Sequence, residues 1–351
     1  MSGRVLFRPD ASLAMGSGHV MRCLTLADAL AARGVASHFA CSASEGFDFS
    51  VITRRGHRLS MLPPLTDPMA DAHAVAALAG EHVPDWLIVD HYGLDARWEE
   101  ACGQPPERVC VIDDLADRPH RSAILFDSGL RRRAGDYAVR VPADCQLYCG
   151  PDHALLRPDF IDARAASLAR RQAGTPPRRV LVTMGGVDAD NVTGAVLEAL
   201  AEEFAKRAMS VDVVLGRSAP HRARVEAMIA DAGLSGALHV DVADMAALMA
   251  RADIAIGASG GTALERLCLG LPSLVLSLAD NQPPAARAIE ASGAGLYAGD
   301  TRAPGWQARL RAGFAACMDD PALLARMSAH AAALVDGRGT GRMVEALYGP
   351  G

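Results

Sequence analysis

Residues 254–282 read IAIGASGGTALERLCLGLPSLVLSLADNQ and contain one complete strand–helix–strand unit. The apolar run Ile254-Ala255-Ile256 predicts a buried strand, and the small residues after it predict a turn into a helix. Gly270 and Pro272 end that helix, and the apolar run 274–276 predicts the next strand. A strand, a crossover helix and a second strand in this order are typical of a parallel sheet with helices on its faces.

The same alternation of apolar strands and Ala/Leu-rich helices runs through both halves of the chain. It predicts strands at 5–7, 37–41, 86–89, 109–112, 180–184 and 211–215, and helices at 20–33 and 71–80. The pattern stops between about residues 140 and 178, a stretch that is rich in proline. We therefore predict an α/β protein with two doubly wound parallel-sheet domains. Its parts are a domain at residues 1–155, a linker at 156–178 and a domain at 179–351. In one possible arrangement the last helices of the second domain pack back on the first domain.

Composition narrows the class of protein. A length of 351 residues suits two domains, and a net charge of −6 with only 5% aromatic residues argues against a nucleic-acid binder. No apolar stretch is long enough to cross a membrane, and the N-terminus has no signal-peptide pattern. The eight cysteines contain no C-x-x-C pair, which favours reduced thiols. We expect a cytoplasmic protein with no membrane partner.

The loop Gly16-Ser17-Gly18-His19 leads into the first predicted helix. Glycines allow backbone amides to approach an anion, and a helix N-terminus favours negative charge. The dinucleotide fingerprint is not met, because Met21 stands where a third glycine is needed. His19 is interpreted either as a general base, since histidine exchanges protons near neutral pH, or as a packing or capping residue.

The segment Ser259–Glu265 is the second candidate site. Its small residues open a helix whose amides could hold a diphosphate, and the Glu265 carboxylate could accept both ribose hydroxyls. The alternative is a tight turn with a capping Ser259 and an exposed Glu265. Gly185-Gly186 either lets the backbone approach a ligand or forms a plain turn.

Polar side chains follow several predicted strands, in loops where binding residues tend to lie. The clusters are Asp90-His91-Tyr92 and Asp280-Asn281-Gln282. The pair Asp113-Asp114 could in principle hold a metal, but no third hard ligand has a convincing spacing. We therefore expect no metal and no other cofactor.

These motifs together resemble a known family. They are FRPDAS at 7–12, GSGHVMRCLTLA at 16–27, DHYGLD at 90–95, LRPDF at 156–160, MGGVD at 184–188, SGGTxxE at 259–265, GLPSLVL at 270–276 and ADNQ at 279–282. From residue 4 to about residue 295 the chain resembles the UDP-2,4-diacetamido-2,4,6-trideoxy-β-L-altropyranose hydrolase (PseG) family of pseudaminic acid biosynthesis. The SGGTxxE element is shared more widely with GT-B glycosyltransferases that use UDP-sugars, including the MurG type.

The resemblance implies a GT-B fold, in which two Rossmann-like domains face each other across a cleft. It implies metal-independent hydrolysis of the bond between the anomeric carbon and the UDP oxygen, with inversion. It further implies that His19 is the catalytic base, and that Asp10, Tyr92 and Asn281 face the sugar or the attacking water. The residues expected to bind the UDP-sugar are Arg8, Gly16, Gly18, Gly185, Gly186, Ser259, Gly260, Gly261, Thr262, Glu265 and Gln282.

The expected partner is thus a UDP-sugar from pseudaminic acid biosynthesis, a route to flagellin glycosylation, with no nucleic acid and no obligate protein partner. Two alternatives remain. The first is a glycosyltransferase of the MurG type, which would release UDP only when an acceptor is present. The second is a nucleotide-sugar sensor on an inactive fold, which would bind a UDP-sugar without turnover.

Overall fold

The computed structural model describes residues 3–12, 15–44, 47–81, 83–231 and 235–350. The chain forms two compact units, Met1–Leu156 with Arg338–Gly351 and Arg157–Gly337. Each unit is a parallel sheet covered by helices, so the predicted fold class of two doubly wound α/β domains is confirmed. In the described residues no helix combines the length and apolar character that a membrane span requires.

The first unit contains a seven-stranded sheet in which every pair is parallel. Its strands are β1 (Arg4–Pro9), β2 (Ala36–Ser42), β3 (Arg58–Leu62), β4 (Trp86–Asp90), β5 (Val109–Ile112), β6 (Ile124–Asp127) and β7 (Gln146–Cys149). Its helices are α1 (Gly18–Ala31), α2 (Ser50–Arg54), α3 (Pro68–Glu81), α4 (Ala96–Ala101) and α13 (Gly339–Tyr348). The strand order is β3-β2-β1-β4-β5-β6-β7.

Helix α1 shows how the sequence positions the site. Its apolar residues recur every three or four positions, and each of them is fully buried: Val20, Cys23, Leu24, Ala27 and Leu30. This face packs with the stacked rings of Phe7 and Phe39, and each buried large side chain contributes about 1.5–3 kcal/mol. Gly34, at φ +76°, ends the segment in a left-handed conformation. The helix is therefore fixed on the sheet, with its N-terminus at the strand carboxyl ends.

The second unit contains a six-stranded parallel sheet. Its strands are β8 (Arg179–Thr183), β9 (Ser210–Leu215), β10 (Ser235–Val240), β11 (Ile254–Ala258), β12 (Ser273–Ser277) and β13 (Gly295–Asp300). Its helices are α5 (Pro158–Gln172), α6 (Val192–Lys206), α7 (Arg222–Asp231), α8 (Met245–Arg251), α9 (Thr262–Cys268), α10 (Pro283–Ala291), α11 (Trp306–Asp319) and α12 (Pro321–Leu334). The order β10-β9-β8-β11-β12-β13 is the one found in dinucleotide-binding sheets.

Helix α5 occupies most of the stretch 156–178, for which the sequence indicated a linker. Pro158 stands at its first turn, where a missing amide hydrogen costs nothing. Polar side chains of α5 bind carbonyls at the ends of neighbouring helices: Ser167 Oγ donates to Leu269 O at 2.8 Å, and Arg171 Nη1 donates to Ala252 O at 2.8 Å. These contacts explain why so polar a helix is part of the second unit.

Helix α13 returns the end of the chain to the first unit. Met343, Val344 and Leu347 enter the core that α1 covers. Trp86 Nε1 donates to Leu347 O at 2.9 Å, and Thr340 Oγ1 donates to Leu156 O at 2.8 Å. The first unit is therefore built from both ends of the chain.

Candidate active site

The site in the first unit lies where the strand order changes direction, between β1 and β4. Ligands of doubly wound sheets bind outside the carboxyl ends of the strands at this point. Pro9 of β1 lies opposite Asp90 of β4, so Asp10 and Tyr92, which follow these strands, are at the same edge. Helix α1 starts at this edge and brings His19 to it.

His19 and Asp90 form a close pair at this edge. Nδ1 of His19 lies 2.5 Å from Oδ1 of Asp90, and both side chains are buried. A contact this short needs a hydrogen between the two atoms, because two lone pairs would repel each other. In the described residues no hydrogen bond reaches Nε2 of His19. In the neutral imidazole with its hydrogen on Nδ1, the lone pair is on Nε2, where it is able to accept a proton.

Arg22, one helical turn after His19, completes this arrangement. Its Nε donates to Asp90 Oδ2 at 2.5 Å and its Nη2 to Asp90 Oδ1 at 2.6 Å, while Nη1 donates to Asp114 Oδ2 at 3.0 Å. Burial alone would raise the pKa of the Asp90 carboxyl, but the charge of Arg22 and the hydrogen bond from His19 hold it far below its usual range. Asp90 is therefore ionised at any pH at which the protein would be assayed.

Tyr92 covers the imidazole from the side. Its ring meets that of His19 edge to face, with centroids 4.4 Å apart, and its hydroxyl donates to Asp114 Oδ2 at 3.3 Å. Burial, and then the charge of Asp114, raise the pKa of Tyr92 well above its usual value. The phenol therefore keeps its proton at neutral pH, and that proton is directed to Asp114.

Asp10 belongs to a second, buried network. Arg8 is fully buried, and its guanidinium binds Asp10 (Nη1 to Oδ1, 2.7 Å), Asp71 (Nη2 to Oδ2, 2.7 Å) and Ser42 Oγ (2.7 Å). Arg8 thus has no exposed atom for the UDP-sugar contact that the resemblance implied. It is better described as the residue that holds Asp10.

His91 approaches Asp10 from the end of β4. The amide of Gly93 donates to His91 Nδ1 at 2.9 Å, so the ring hydrogen is on Nε2, which lies 3.3 Å from Asp10 Oδ2. Burial opposes the charge on Asp10, but the bond from His91 and the charge of Arg8 outweigh it and lower the pKa of Asp10 strongly. Asp10 is an ionised carboxylate that Arg8 and His91 hold in place, and only a small part of it is exposed.

Gly16 and Gly18 lie at the N-terminus of α1. Gly16 has φ +78°, and Ser17 makes no side-chain cap on the helix. A methyl group added at either glycine would meet no heavy atom of the described residues within 4 Å. The described part of the chain therefore leaves space next to the first amides of α1, as an approach by a ligand would require.

In the second unit the strand order changes direction between β8 and β11. Thr183 of β8 lies opposite Gly257 of β11, so the loops that follow at 184–186 and 259–262 share one edge of the sheet. A Cβ at Gly257 would lie 2.8 Å from Thr183 O and 2.4 Å from a nitrogen of Arg266. Only glycine fits there, which explains part of the glycine content of this segment.

The two glycine loops differ in their freedom to bind an anion. At the start of α6, Asp188 accepts from the amides of Val192 (2.9 Å) and Thr193 (3.0 Å), so a carboxylate already occupies that helix end. Within the described segments, neither the Gly185-Gly186 pair nor the Gly260-Gly261 pair makes a backbone hydrogen bond through its amides, and a Cβ at any of the four would find open space, so the carboxylate at the start of α6 is what separates the two loops. A diphosphate therefore fits the 259–262 loop better than the loop at Gly185-Gly186, where φ of Gly185 is +102°.

Glu265 lies one turn into α9, half-buried. Burial raises its pKa to about 7, although the charges of Arg157 and Arg266 act in the opposite direction. The fully buried Arg266 donates to Ala258 O at 2.7 Å and to Thr262 Oγ1 at 3.4 Å. The hydroxyl of Thr262 is thus already the acceptor of a bond within the helix.

Ser259 and Gln282 contact each other. Ser259 Oγ donates to Gln282 O at 3.1 Å, and Gln282 Oε1 accepts from Leu278 N at 2.9 Å. These bonds join the loops after β11 and β12, so the two residues shape the second site from within. Asn281, in the same loop, is exposed.

The structure adds Arg22 to the site, and it gives a role to Asp90 and Asp114, which the sequence had indicated only as members of a polar cluster and of a possible metal pair. Arg22 stands three positions after His19, and this spacing places two side chains on one helix face, which is the signal that was available. The pair Asp113-Asp114 is divided, because Asp113 Oδ2 accepts from Ala116 N and Tyr137 Oη, both at 2.8 Å. Across the described segments, no three histidine, cysteine or acidic side chains are grouped as a metal site would need.

The chain matches no protein-family model. It is 26% identical over 292 residues to the spore coat polysaccharide biosynthesis protein SpsG of Bacillus subtilis, and this match covers 83% of this chain and 82% of SpsG. It is 28% identical over 191 residues to the UDP-2,4-diacetamido-2,4,6-trideoxy-β-L-altropyranose hydrolase of Campylobacter jejuni, and this match covers 54% of this chain and 63% of that hydrolase. MurG of Acinetobacter baumannii has a similar structure, with a TM-score of 0.71 at 14% identity over 98% of this chain and 99% of MurG.

The structural likeness establishes the fold, and the two relatives establish distant common descent. The chain is therefore a GT-B protein that is distantly homologous to SpsG and to the altropyranose hydrolase.

Proposed function

We propose that this protein is an enzyme that acts on UDP-sugars, and that it hydrolyses a UDP-linked 2,4-diacetamido-2,4,6-trideoxy sugar of the altropyranose type. The observation that carries the proposal is the His19–Asp90 pair, which presents an imidazole lone pair at the strand edge where such sheets bind ligands. The distant homology to a hydrolase of this substrate supports the substrate class.

In the proposed reaction a water molecule attacks the anomeric carbon. His19 Nε2 takes a proton from the water as the new C–O bond forms. The bond between the anomeric carbon and the UDP oxygen breaks, and its electron pair leaves with UDP. Asp90 stabilises the imidazolium through the hydrogen bond at Nδ1. Because water enters opposite the leaving group, the sugar is released with inverted configuration.

The second unit is proposed to hold the UDP. The uncapped amides of Gly260 and Gly261 suit the diphosphate, and they lower the cost of the charge that develops as UDP leaves. The carboxylate of Glu265 suits the two ribose hydroxyls. Asp10, Tyr92 and Asn281 are proposed to position the sugar or the water, since Asp10 and Tyr92 follow the strands at whose edge His19 lies.

The test is UDP release by His19→Gln. We expect a loss of about 10²–10⁴-fold, because the substitution removes the group that takes up the proton. The matched control is His239→Gln, since His239 also pairs with a carboxylate, Asp212, at 2.7 Å but lies in the second unit on β10. Near-normal release by the His19 variant, with a normal melting temperature, would overturn the role of His19.

Acceptor dependence separates this proposal from a glycosyltransferase of the MurG type. We expect UDP and free sugar in equal amounts when purified protein meets the UDP-sugar with no other acceptor. A panel of UDP-amino sugars should show preference for the diacetamido substrate. Release that requires a sugar or lipid acceptor would show a transferase, and binding without any turnover would show a sensor.

A further inference from the structure

Arg22 is placed to influence His19 directly. Its Nη2 lies 3.3 Å from His19 Nδ1 but only 2.6 Å from Asp90 Oδ1, and because Nδ1 already carries a hydrogen, Nη2 donates to the carboxylate. The guanidinium therefore places a positive charge next to the imidazole, while Nδ1 keeps its own hydrogen. That charge opposes a second positive charge on the ring.

Asp114 balances Arg22 from the other side. Its Oδ2 accepts from Arg22 Nη1 at 3.0 Å and from Tyr92 Oη at 3.3 Å. Its Oδ1 is buried and has no hydrogen-bond partner in the described residues. The negative charge of Asp114 lies next to the guanidinium, so Asp114 weakens the effect of Arg22 on the imidazole.

We propose that Arg22 and Asp114 are positioning residues that set how readily His19 takes up a proton, and thereby fix the pH range in which the enzyme works. This inference rests on the proposed function for its effect on activity. The two residues do not touch the reacting atoms. They act through Asp90 and the ring of His19.

The charged and titratable groups around His19 come from four parts of the first unit. Helix α1 supplies Arg22 and Cys23, the end of β4 supplies Asp90 and Tyr92, and the loop after β5 supplies Asp114. The fourth part is the loop after β6, where Arg132 Nη2 donates to Asp114 O at 2.7 Å. Burial raises the pKa of the Cys23 thiol well above its usual value, so its charge does not change in the assay range.

The signs of the two effects are opposite. Without Arg22, Asp90 would be left to pair with His19 alone, which favours the imidazolium. The acid limb of the pH–rate profile should then move to higher pH, by about one unit or more for a charge at this distance. Without the charge of Asp114, Arg22 would be less balanced, and the acid limb should move to lower pH by a smaller amount. If the two residues had a purely structural role, both variants would be less active, but the acid limbs of their pH–rate profiles would not move in opposite directions.

The experiment measures the imidazole of His19 directly and the enzyme's rate in parallel. Histidine ring signals of the full-length protein are followed by NMR from pH 5 to 9, with His19→Gln used to assign the His19 signal. The variants are Arg22→Gln, Asp114→Asn and Arg22→Lys, which keeps the charge but loses the guanidinium fork. We expect the titration midpoint of His19 to rise in Arg22→Gln, to fall in Asp114→Asn, and to stay close to wild type in Arg22→Lys.

The chain contains a matched control. Arg55 pairs with Asp28, and Asp28 lies 2.8 Å from His57 Nε2, so Arg55-Asp28-His57 repeats the arginine–carboxylate–histidine arrangement further along α1. Arg55→Gln should move the signal of His57 and leave that of His19 unchanged. If Arg22→Gln fails to fold, as its melting curve would show, Asp114→Asn and Arg22→Lys still carry the test.

Midpoints that stay together, or move in the same direction, in Arg22→Gln and Asp114→Asn would overturn the inference. This failure is distinguishable from failure of the proposed function. The NMR titration needs no substrate, whereas the proposed function fails if His19→Gln still releases UDP. Opposite shifts by NMR with unchanged pH–rate profiles would also overturn the claim, because His19 would then not control the rate.

Discussion

The carboxylate of Asp90 lies 2.5 Å from the imidazole of His19, and the two residues come from different elements of the same sheet edge. Asp90 ends β4, whereas His19 is the second residue of α1. The short contact fixes the ring orientation and the position of its hydrogen. This relationship turns a histidine at a helix start into a group that is able to act as a base.

Replacement of Asp90 tests this relationship. We expect Asp90→Asn to lower the rate of UDP release by about 10²–10⁴-fold, because an amide can donate to Nδ1 and so favour the wrong tautomer. The assay is single-turnover UDP release, with the melting temperature as a control for the lost ion pair to Arg22. A rate within a few-fold of wild type would show that His19 does not depend on Asp90.

Binding of a UDP-sugar should depend on pH through Glu265. Since its pKa is raised to about 7, the carboxylate is mostly ionised at pH 8 and mostly protonated at pH 6. If the ribose hydroxyls need the ionised form, the affinity should fall by up to about tenfold from pH 8 to pH 6. Calorimetry with a UDP-sugar in the inactive His19→Gln background measures binding without turnover, and it avoids the titration of the terminal phosphate of UDP itself. Glu265→Gln should bind the UDP-sugar more weakly at pH 8, and its affinity should no longer depend on pH. If the affinity of the variant depends on pH as in wild type, Glu265 is not the group responsible.

The same residue should limit stability. Its pKa is about 7 in the folded chain and 4.5 for a glutamate side chain free in water, so the cost of holding the charge is present in full above pH 7 and disappears below about pH 4.5. Glu265→Gln should therefore raise the melting temperature at pH 8 and change it little at pH 5. Glu226→Gln, at an exposed position of α7, is the control. A variant that is less stable than wild type at pH 8 would contradict this prediction.

Added methyl groups test the diphosphate loop. Gly260→Ala and Gly261→Ala meet no atom within 4 Å, so the fold should tolerate them. They should weaken UDP binding by about tenfold or more, because Cβ would occupy the space through which the phosphate reaches the amides. Gly341→Ala on α13 meets equally open space and should leave UDP binding unchanged. Normal UDP affinity in both loop variants would show that the diphosphate does not bind at this loop.

Removal of residues 338–350 should unfold the first unit. Met343, Val344 and Leu347 are at most 7% exposed, and the burial of each contributes about 1.5–3 kcal/mol. Their sum is comparable with the whole stability of a domain, about 5–15 kcal/mol. Circular dichroism of the truncated chain should show loss of one of two unfolding transitions. Two intact transitions would mean that α13 is dispensable.

Eight of the strands were predictable because each is a short apolar run bounded by glycine or a polar residue. The sequence did not predict β3, β6, β7, β10 and β13, and β3, β7 and β10 are partly exposed and contain polar residues. Strands β1, β4, β5 and β8 were expected within two residues of where they lie. Helix α5 was missed because its Ala/Arg composition carries no apolar stripe. Its arginines bind carbonyls at helix ends, and those partners are about 80–170 residues away along the chain.

The candidate site was only partly predictable for a similar reason. The position of His19 in a glycine loop is a local feature of the sequence, whereas its pairing with Asp90 spans 71 residues and depends on the register of β1 and β4. Arg8 shows the opposite case. It lies in a motif and was expected to contact the substrate, but the fold buries it completely against Asp10 and Asp71.

Hydrolysis at the anomeric carbon is tested most directly by one turnover of the UDP-linked diacetamido sugar in ¹⁸O-labelled water, followed by mass spectrometry and NMR of the products. We expect the label to enter the anomeric hydroxyl of the sugar and the first-formed anomer to be inverted. His19→Gln should abolish this product, whereas His239→Gln should not. Label in the phosphate of UDP, retained configuration, or normal turnover by His19→Gln would contradict the proposed mechanism.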